Sequence, residues 1–256
     1  MTAGRENPVM FMRAMSWSRR DCWITDGMTT RYAIYFTPPV GGALARFGAG
    51  VLGYECATGA DVTHLSIPGI APDALAALTA EPRRYGFHAT LAAPFRLGQG
   101  DEAALRDAAA AFAKTQSPVP LGLVQVTRIG SFIALCPAAK QPGIAALEAA
   151  CVHAFHRFRA PLSASERERR LKARLTPHQI ALMDRWGYPY VLDQYRLHMT
   201  LTGPVAAEQS EAVLQSLKQV YAPLGRGPVT IDAISLVRQD DANSRFRVVE
   251  RFALSP

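Results

Sequence analysis

Two stretches of this chain carry the same reactive residues at the same spacing. Tyr85-Gly86-Phe87-His88-Ala89-Thr90-Leu91 and Tyr195-Arg196-Leu197-His198-Met199-Thr200-Leu201 both read Tyr-x-x-His-x-Thr-Leu. An imidazole titrates near neutral pH, so it can take or give a proton at working pH. A threonine hydroxyl two residues on can donate to an anionic oxygen. Two of each around one phosphoryl group suit in-line displacement at phosphorus. One histidine takes the proton of an attacking water, and the other protonates the departing oxygen. The threonines hold the non-bridging oxygens. The scheme calls for no metal and no other cofactor. With 6 His in the chain, His-x-Thr triplets are expected by chance roughly 0.35 times. The shared Tyr and Leu lower the chance of each match by a further factor of roughly 300.

The chemistry needs these residues on extended backbone. In a strand, alternate side chains share a face. Leu197, Met199 and Leu201 then point one way, and Arg196, His198, Thr200 and Thr202 the other. Phe87, Ala89 and Leu91 likewise oppose His88 and Thr90. Each strand buries an apolar edge and presents His and Thr on its second face. Two such strands facing one another would enclose a small anion.

The flanking pattern repeats as well. From 86 to 136 the order is His-containing strand (Gly86–Ala93), helix (Asp101–Thr115, with Asp101 as cap), then strands at Leu121–Ile129 and Phe132–Cys136. From 196 to 253 it is strand (Arg196–Thr202), helix (Ala207–Tyr221), then strands near Val229–Val237 and Arg245–Ala253. Elsewhere, Arg31–Phe36 reads as a strand. Helices are expected over 40–53, Pro72–Ala80, Pro142–Phe158, from Ser163 or Ser165 to Leu175, and from Thr176-Pro177 to Trp186. The fold class expected is α+β. Two pseudo-symmetric lobes each carry an antiparallel sheet and helices, with the active-site cleft between them. Residues 28–256 form this single bilobal domain. Residues 1–27 are an irregular extension, a mobile arm or an over-extended start, with Met1, Met10, Met12, Met15 and Met28 as alternative beginnings.

Composition narrows the function classes. Across 256 residues, 49% are hydrophobic and 19% charged, a globular balance rather than a disordered one. No apolar run reaches the roughly 20 residues of a membrane span, and no membrane partner is expected. Four cysteines, none spaced Cys-x-x-Cys, make no disulfide scaffold, and no secretory signal is present, so a cytoplasmic location is expected. The net charge is +7, and arginine, which forks onto phosphate oxygens, supplies most of the cations. Seven basic and two acidic residues fall between Arg157 and Arg174. That run reads better as a solvated helix face than as a nucleic-acid surface, because aromatic residues hardly interleave with it.

The paired motifs resemble those of the 2H phosphoesterase superfamily, named for two His-x-Thr/Ser motifs. Its members are bilobal α+β proteins that open cyclic phosphodiesters or ligate RNA ends. More closely, the chain resembles the DUF1045 group of phosphonate-metabolism proteins. The matching segments are RYAIYFTP at 31–38, RYGFHATLAAPF at 84–95, RAP at 159–161, WGYPYV at 186–191 and YRLHMTLTGP at 195–204. The resemblance implies His88, Thr90, His198 and Thr200 as catalytic residues. It implies metal-independent hydrolysis of a small sugar cyclic phosphate such as 5-phosphoribosyl 1,2-cyclic phosphate in phosphonate catabolism. The second phosphate of that substrate would want arginine. Arg196, on the His198 face, is the first candidate, with Arg31, Arg84 and Arg159 behind it. Tyr32, Tyr85, Tyr188 and Tyr195 are candidates to line the ribose pocket. Two alternatives remain: processing of RNA or nucleotide 2′,3′-cyclic phosphates, and a non-catalytic cyclic-phosphate sensor. The partner expected is a small phosphorylated sugar or nucleotide, with nucleic acid less favoured and the oligomeric state open.

Other patterns carry less. Gly48-Ala49-Gly50-Val51-Leu52-Gly53 matches GxGxxG but sits late in a helical stretch, so a helix end explains it better than a dinucleotide site. His153 and His156 lie three apart on a helix without the further ligands a metal site needs.

Overall fold

The computed structural model describes residues 30–225 and 227–255. The N-terminal extension expected over 1–27 lies outside the described residues. The chain begins with β1 (Arg31–Phe36), α1 (Ala43–Leu52), β2 (Tyr54–Glu55), β3 (Ala60–Asp61) and α2 (Pro72–Thr79). The first motif opens β4 (Ala89–Phe95), followed by α3 (Glu102–Ala113), β5 (Val119–Gly122), β6 (Val124–Ile129) and β7 (Phe132–Pro137). Three helices come next: α4 (Pro142–His156), α5 (Ala164–Leu171) and α6 (Pro177–Trp186). The second motif holds β8 (Met199–Thr200), then α7 (Ala207–Tyr221), β9 (Val229–Ile231), β10 (Ala233–Gln239) and β11 (Arg247–Ala253). No helix among the described residues is long and apolar enough to cross a membrane.

Helix boundaries follow local chemistry. The Asp101 carboxylate accepts the Ala104 N–H at 2.9 Å and starts α3. Ser163 with Glu166, and Thr176 with Gln179, form reciprocal capping boxes on α5 and α6. Gly53, at φ 71°, ends α1, so the GxGxxG stretch is a helix terminus as its position implies. Gly48 lies against the Phe87 ring, and only a residue without Cβ lets α1 approach the first motif so closely.

The mixed α+β class is as expected, and the sheet shows how the two halves join. Seven strands run in the order β11-β10-β1-β4-β8-β7-β6, every pair antiparallel. The two histidine strands are therefore immediate neighbours at the centre of one sheet. Each repeat also crosses over. The β6–β7 hairpin that follows the first motif pairs with β8, while the β10–β11 hairpin that follows the second joins the β1–β4 side. The strand expected over Leu121–Ile129 divides at Leu123: β5 leaves to pair with β9, and β6 stays in the main sheet. The extended run Arg196–Thr202 keeps a ladder only at Met199–Thr200.

One face of the sheet carries the core. Ile34, Phe36, Ala89, Leu91, Ile133, Leu135, Met199 and Leu236 pack there against Phe47, Leu105, Leu147, Phe155, Leu214 and Leu217 of the helices. Burial of this apolar surface is the main force holding the sheet flat against its helices. The opposite face carries only a small cluster of Ala33, Tyr35, Val237 and Phe246, and this is the face that His88, Thr90, His198 and Thr200 share.

Candidate active site

Register assembles the four motif residues. Ala89 of β4 pairs with Met199 of β8, and both are fully buried on the core side. One residue to either side, His88 comes opposite Thr200, and Thr90 opposite His198. Directly opposed residues in an antiparallel pair have Cβ atoms about 4.5–5.5 Å apart. Two imidazoles and two hydroxyls thus form a compact square, each His diagonal to the other. The strands lie side by side in one sheet, where the sequence pattern suggested two strands facing across a cleft. The pairing of the hairpins with opposite halves draws them together.

Both rings are held in the same way. His88 Nδ1 donates to the Gly86 carbonyl at 2.9 Å, and His198 Nδ1 donates to the Arg196 carbonyl at 2.8 Å. A carbonyl only accepts, so each Nδ1 carries the proton and each Nε2 presents a lone pair. The Gly86 carbonyl is aimed by a φ of 71°, which glycine adopts without strain, and a side chain there would strike Cys56. Against the lone pair of His88 Nε2, Thr90 Oγ1 lies at 3.1 Å and donates.

The two histidines differ in their surroundings. The Tyr35 ring stacks on His88 with centroids 3.7 Å apart, and Tyr85 stands at 6.3 Å. Phe132 meets His198 obliquely at 5.6 Å. Burial, with repulsion from His198, pushes the His88 imidazolium midpoint down to about 4. His198 is also lowered, by burial and by the neighbouring Arg196 guanidinium.

Arg196 is exposed, stands on the His198 face, and contacts the Cys136 thiol of β7. Arg31 lies on the same sheet face, donates to Gln239 Oε1, and covers the Phe246 ring at 5.4 Å. Tyr188 meets Tyr190 edge-on with ring centroids 5.7 Å apart, and Arg170 of α5 lies 5.7 Å over its ring. Tyr85 stacks on Phe246 at 5.5 Å beside His88. Arg84 donates to the backbone carbonyl of Ala242, in the loop between β10 and β11.

Three expected pocket residues belong elsewhere. Tyr32 falls on the core face by strand alternation, and its hydroxyl donates to Glu102 at 3.0 Å. The Tyr195 hydroxyl turns inward and donates to the Thr90 carbonyl at 2.7 Å, bracing the first motif from the second. Arg159 is a strut: it donates to the Ala93 and Pro94 carbonyls at 2.6 and 3.3 Å and covers Phe95. His153 and His156 both pack on Trp186, with centroids 4.9 Å away in each case. Among the described residues, no three His, Cys, Asp or Glu side chains cluster as a metal site would require.

Tyr35 and Glu148 went unread in the sequence. Alternation along Arg31–Phe36 puts Arg31, Ala33 and Tyr35 on one face, so Tyr35 could have been chosen over Tyr32. Glu148 carried no local signal; only packing reveals it as a buried carboxyl.

Comparison with known proteins supports the DUF1045 part of the sequence resemblance. The profile of a family described as "Protein of unknown function (DUF1045)" matches residues 90–247. A protein of Janthinobacterium sp. (strain Marseille) named "Ribose 1,5-bisphosphate phosphokinase PhnN" is 38% identical over 231 residues, covering 88% of this chain and 51% of that protein. Its namesake in Laribacter hongkongensis (strain HLHK9) is 35% identical over 177 residues, covering 67% of this chain and 40% of that one. The chain thus spans about half the length, or less, of these curated relatives. Among solved structures, Escherichia coli LigT with 3′-AMP aligns at TM-score 0.40 and 13% identity, over 89% of this chain and 99% of that one. A structure described as a phosphoesterase aligns at TM-score 0.38 and 14% identity, over 89% and 99%.

Proposed function

The chain belongs to the DUF1045 family, and from that premise we propose that it is a phosphoesterase that opens a small cyclic phosphodiester. The observation that carries this reading is the Ala89–Met199 pairing, which sets the two His-Thr pairs on one face. The favoured substrate is 5-phosphoribosyl 1,2-cyclic phosphate. Water attacks phosphorus and gives its proton to Nε2 of one histidine. The bond from phosphorus to ribose O2 breaks in line, and the other histidine protonates O2. The product is ribose 1,5-bisphosphate, the compound named for the phosphokinase relatives.

His88 suits the base. Its Nε2 lone pair faces the site, and burial keeps the ring neutral well below neutral pH. His198 then supplies the acid, since the negative charge of a bound phosphodiester restores its imidazolium. The Thr90 hydroxyl turns from His88 to a non-bridging oxygen, and Thr200 matches it from the next strand. In this reading Arg196, exposed on the His198 face, takes the phosphate fork.

Phosphorus NMR of the protein with 5-phosphoribosyl 1,2-cyclic phosphate and excess EDTA tests the reading. Conversion to ribose 1,5-bisphosphate by the wild type, absent in His88→Ala and His198→Ala, is the expected result. Turnover of 2′,3′-cyclic nucleotides alone would move the substrate to RNA ends. Tight binding with no turnover of any cyclic phosphate would make the protein a sensor.

A further inference from the structure

Glu148 is an acid on the apolar side of α4, 1% exposed. Burial pushes its carboxyl up to about 7. The ionisable groups that face it are the Cys151 thiol, one turn along α4, and the Tyr195 phenol from the segment ahead of β8. Its Oε2 accepts the Leu192 N–H at 3.1 Å. Leu192 sits at φ 57°, a left-handed conformation that a leucine holds only when its surroundings impose it.

The Leu192 turn leads straight to the site. Its carbonyl accepts the Tyr195 N–H at 3.0 Å, and the Tyr195 hydroxyl reaches the Thr90 carbonyl at 2.7 Å. The next residue, Arg196, provides both the guanidinium on the site face and the carbonyl that fixes the His198 ring at 2.8 Å. We propose that Glu148 is a positioning residue: by holding the Leu192 turn it sets where Arg196 and the His198 imidazole stand. The inference rests on the reading of His198 as part of the reaction. It adds a residue that never touches substrate.

The test uses the full chain as wild type, Glu148→Gln and Glu148→Leu, with nitrogen-15 NMR of the His198 imidazole over pH 4–9. Glutamine keeps an acceptor for the Leu192 N–H and removes the titration. In the wild type, the His198 signals are expected to take a second, small step at the Glu148 midpoint near pH 7. Glu148→Gln should lose that step and keep the Nδ1–H form. Glu148→Leu should show mixed tautomers, and kcat on 5-phosphoribosyl 1,2-cyclic phosphate about tenfold or more lower, because small misplacements of catalytic groups are costly. A folded Glu148→Leu whose His198 keeps the wild-type Nδ1–H form and titration would overturn the proposal; if leucine fails to fold, Glu148→Met, which likewise leaves the Leu192 N–H without its acceptor, is read in the same way. If none of the three proteins turns the substrate over, the functional reading fails, while the imidazole signals still decide the role of Glu148.

Discussion

The Tyr35 ring lies flat on the His88 imidazole, the centroids 3.7 Å apart and the planes inclined by 19°. Tyr35 is fully buried, and its hydroxyl has no hydrogen-bond partner among the described residues. An unmade bond to a buried hydroxyl costs about 1–3 kcal/mol. Phenylalanine at this position should therefore be at least as stable as tyrosine, while the ring stacked on His88 sets the plane in which it presents Nε2.

Ring and hydroxyl can be separated experimentally. Tyr35→Phe keeps the stack and removes the orphan hydroxyl, so the thermal midpoint should hold or rise. Tyr35→Leu removes the stack beneath His88, and kcat should fall about tenfold or more as the imidazole loses its orientation. A fall in Tm for Tyr35→Phe would mean that the hydroxyl has a partner, and unchanged kcat for Tyr35→Leu would remove the ring from the mechanism.

The lowered histidines give a signed pH dependence. Between the ordinary value of 6.5 and about 4, the unfolded chain binds a proton that folded His88 refuses. Stability from this residue is complete above pH 6.5 and is lost as pH falls through that window. Glu148 acts in the opposite sense, since its raised carboxyl holds a proton longer in the fold, from 4.5 to about 7. The His88 contribution is isolated by comparing wild type with His88→Asn from pH 4 to 8. The wild type should lose stability relative to the variant on the acid side. For turnover, one ring must be neutral and the other protonated. Both free-protein midpoints lie below 6.5, so kcat/KM should trace a bell whose limbs fall on the acid side of 6.5 and belong to the pair. The kcat bell should lie at higher pH, where bound phosphodiester favours the imidazolium.

Arg196 and Arg159 make a contrasting pair. Arg196 is exposed on the site face; Arg159 spans the Ala93 and Pro94 carbonyls. Arg196→Ala should raise KM about tenfold to a hundredfold, through loss of a charge-assisted fork, with Tm nearly unchanged. Arg159→Ala should cost about 2–3 kcal/mol of stability through the stranded carbonyls and leave KM close to wild type. Urea melts beside steady-state kinetics for the two variants settle it, and exchanged phenotypes would place Arg159 at the substrate.

How far the site could be read in advance depended on whether the information was local. Alternation along Leu197–Leu201 assigned His198 and Thr200 to one face, and Asp101, Ser163 and Thr176 marked helix starts by their own side-chain bonds. The adjacency of β4 and β8 was not local: it depends on residues 110 positions apart, and on each hairpin crossing to the other half. The tyrosines show the same limit. Tyr85 and Tyr195 hold equivalent motif positions, yet Tyr85 stays beside His88 and Tyr195 turns to the Thr90 carbonyl. The different packing against Phe246 and against α4 decides which way each ring goes.

Thr90 separates positioning from transition-state work. In the free protein its hydroxyl donates to His88 Nε2 at 3.1 Å, while its carbonyl is held by Tyr195 at 2.7 Å. The backbone is thus fixed independently of the side chain, so substitution at the hydroxyl should leave the strand in place. Thr90→Val keeps the shape and β-branching and deletes only the donor. A lost donor to a developing phosphoryl charge costs about 10²–10³ in kcat, and KM should change little, because the bond strengthens as the phosphorane forms. Thr90→Ser should recover most of the rate. If valine instead raises KM and spares kcat, Thr90 binds the ground state and transition state alike, and the phosphoryl oxygens draw their stabilisation from Thr200 and Arg196.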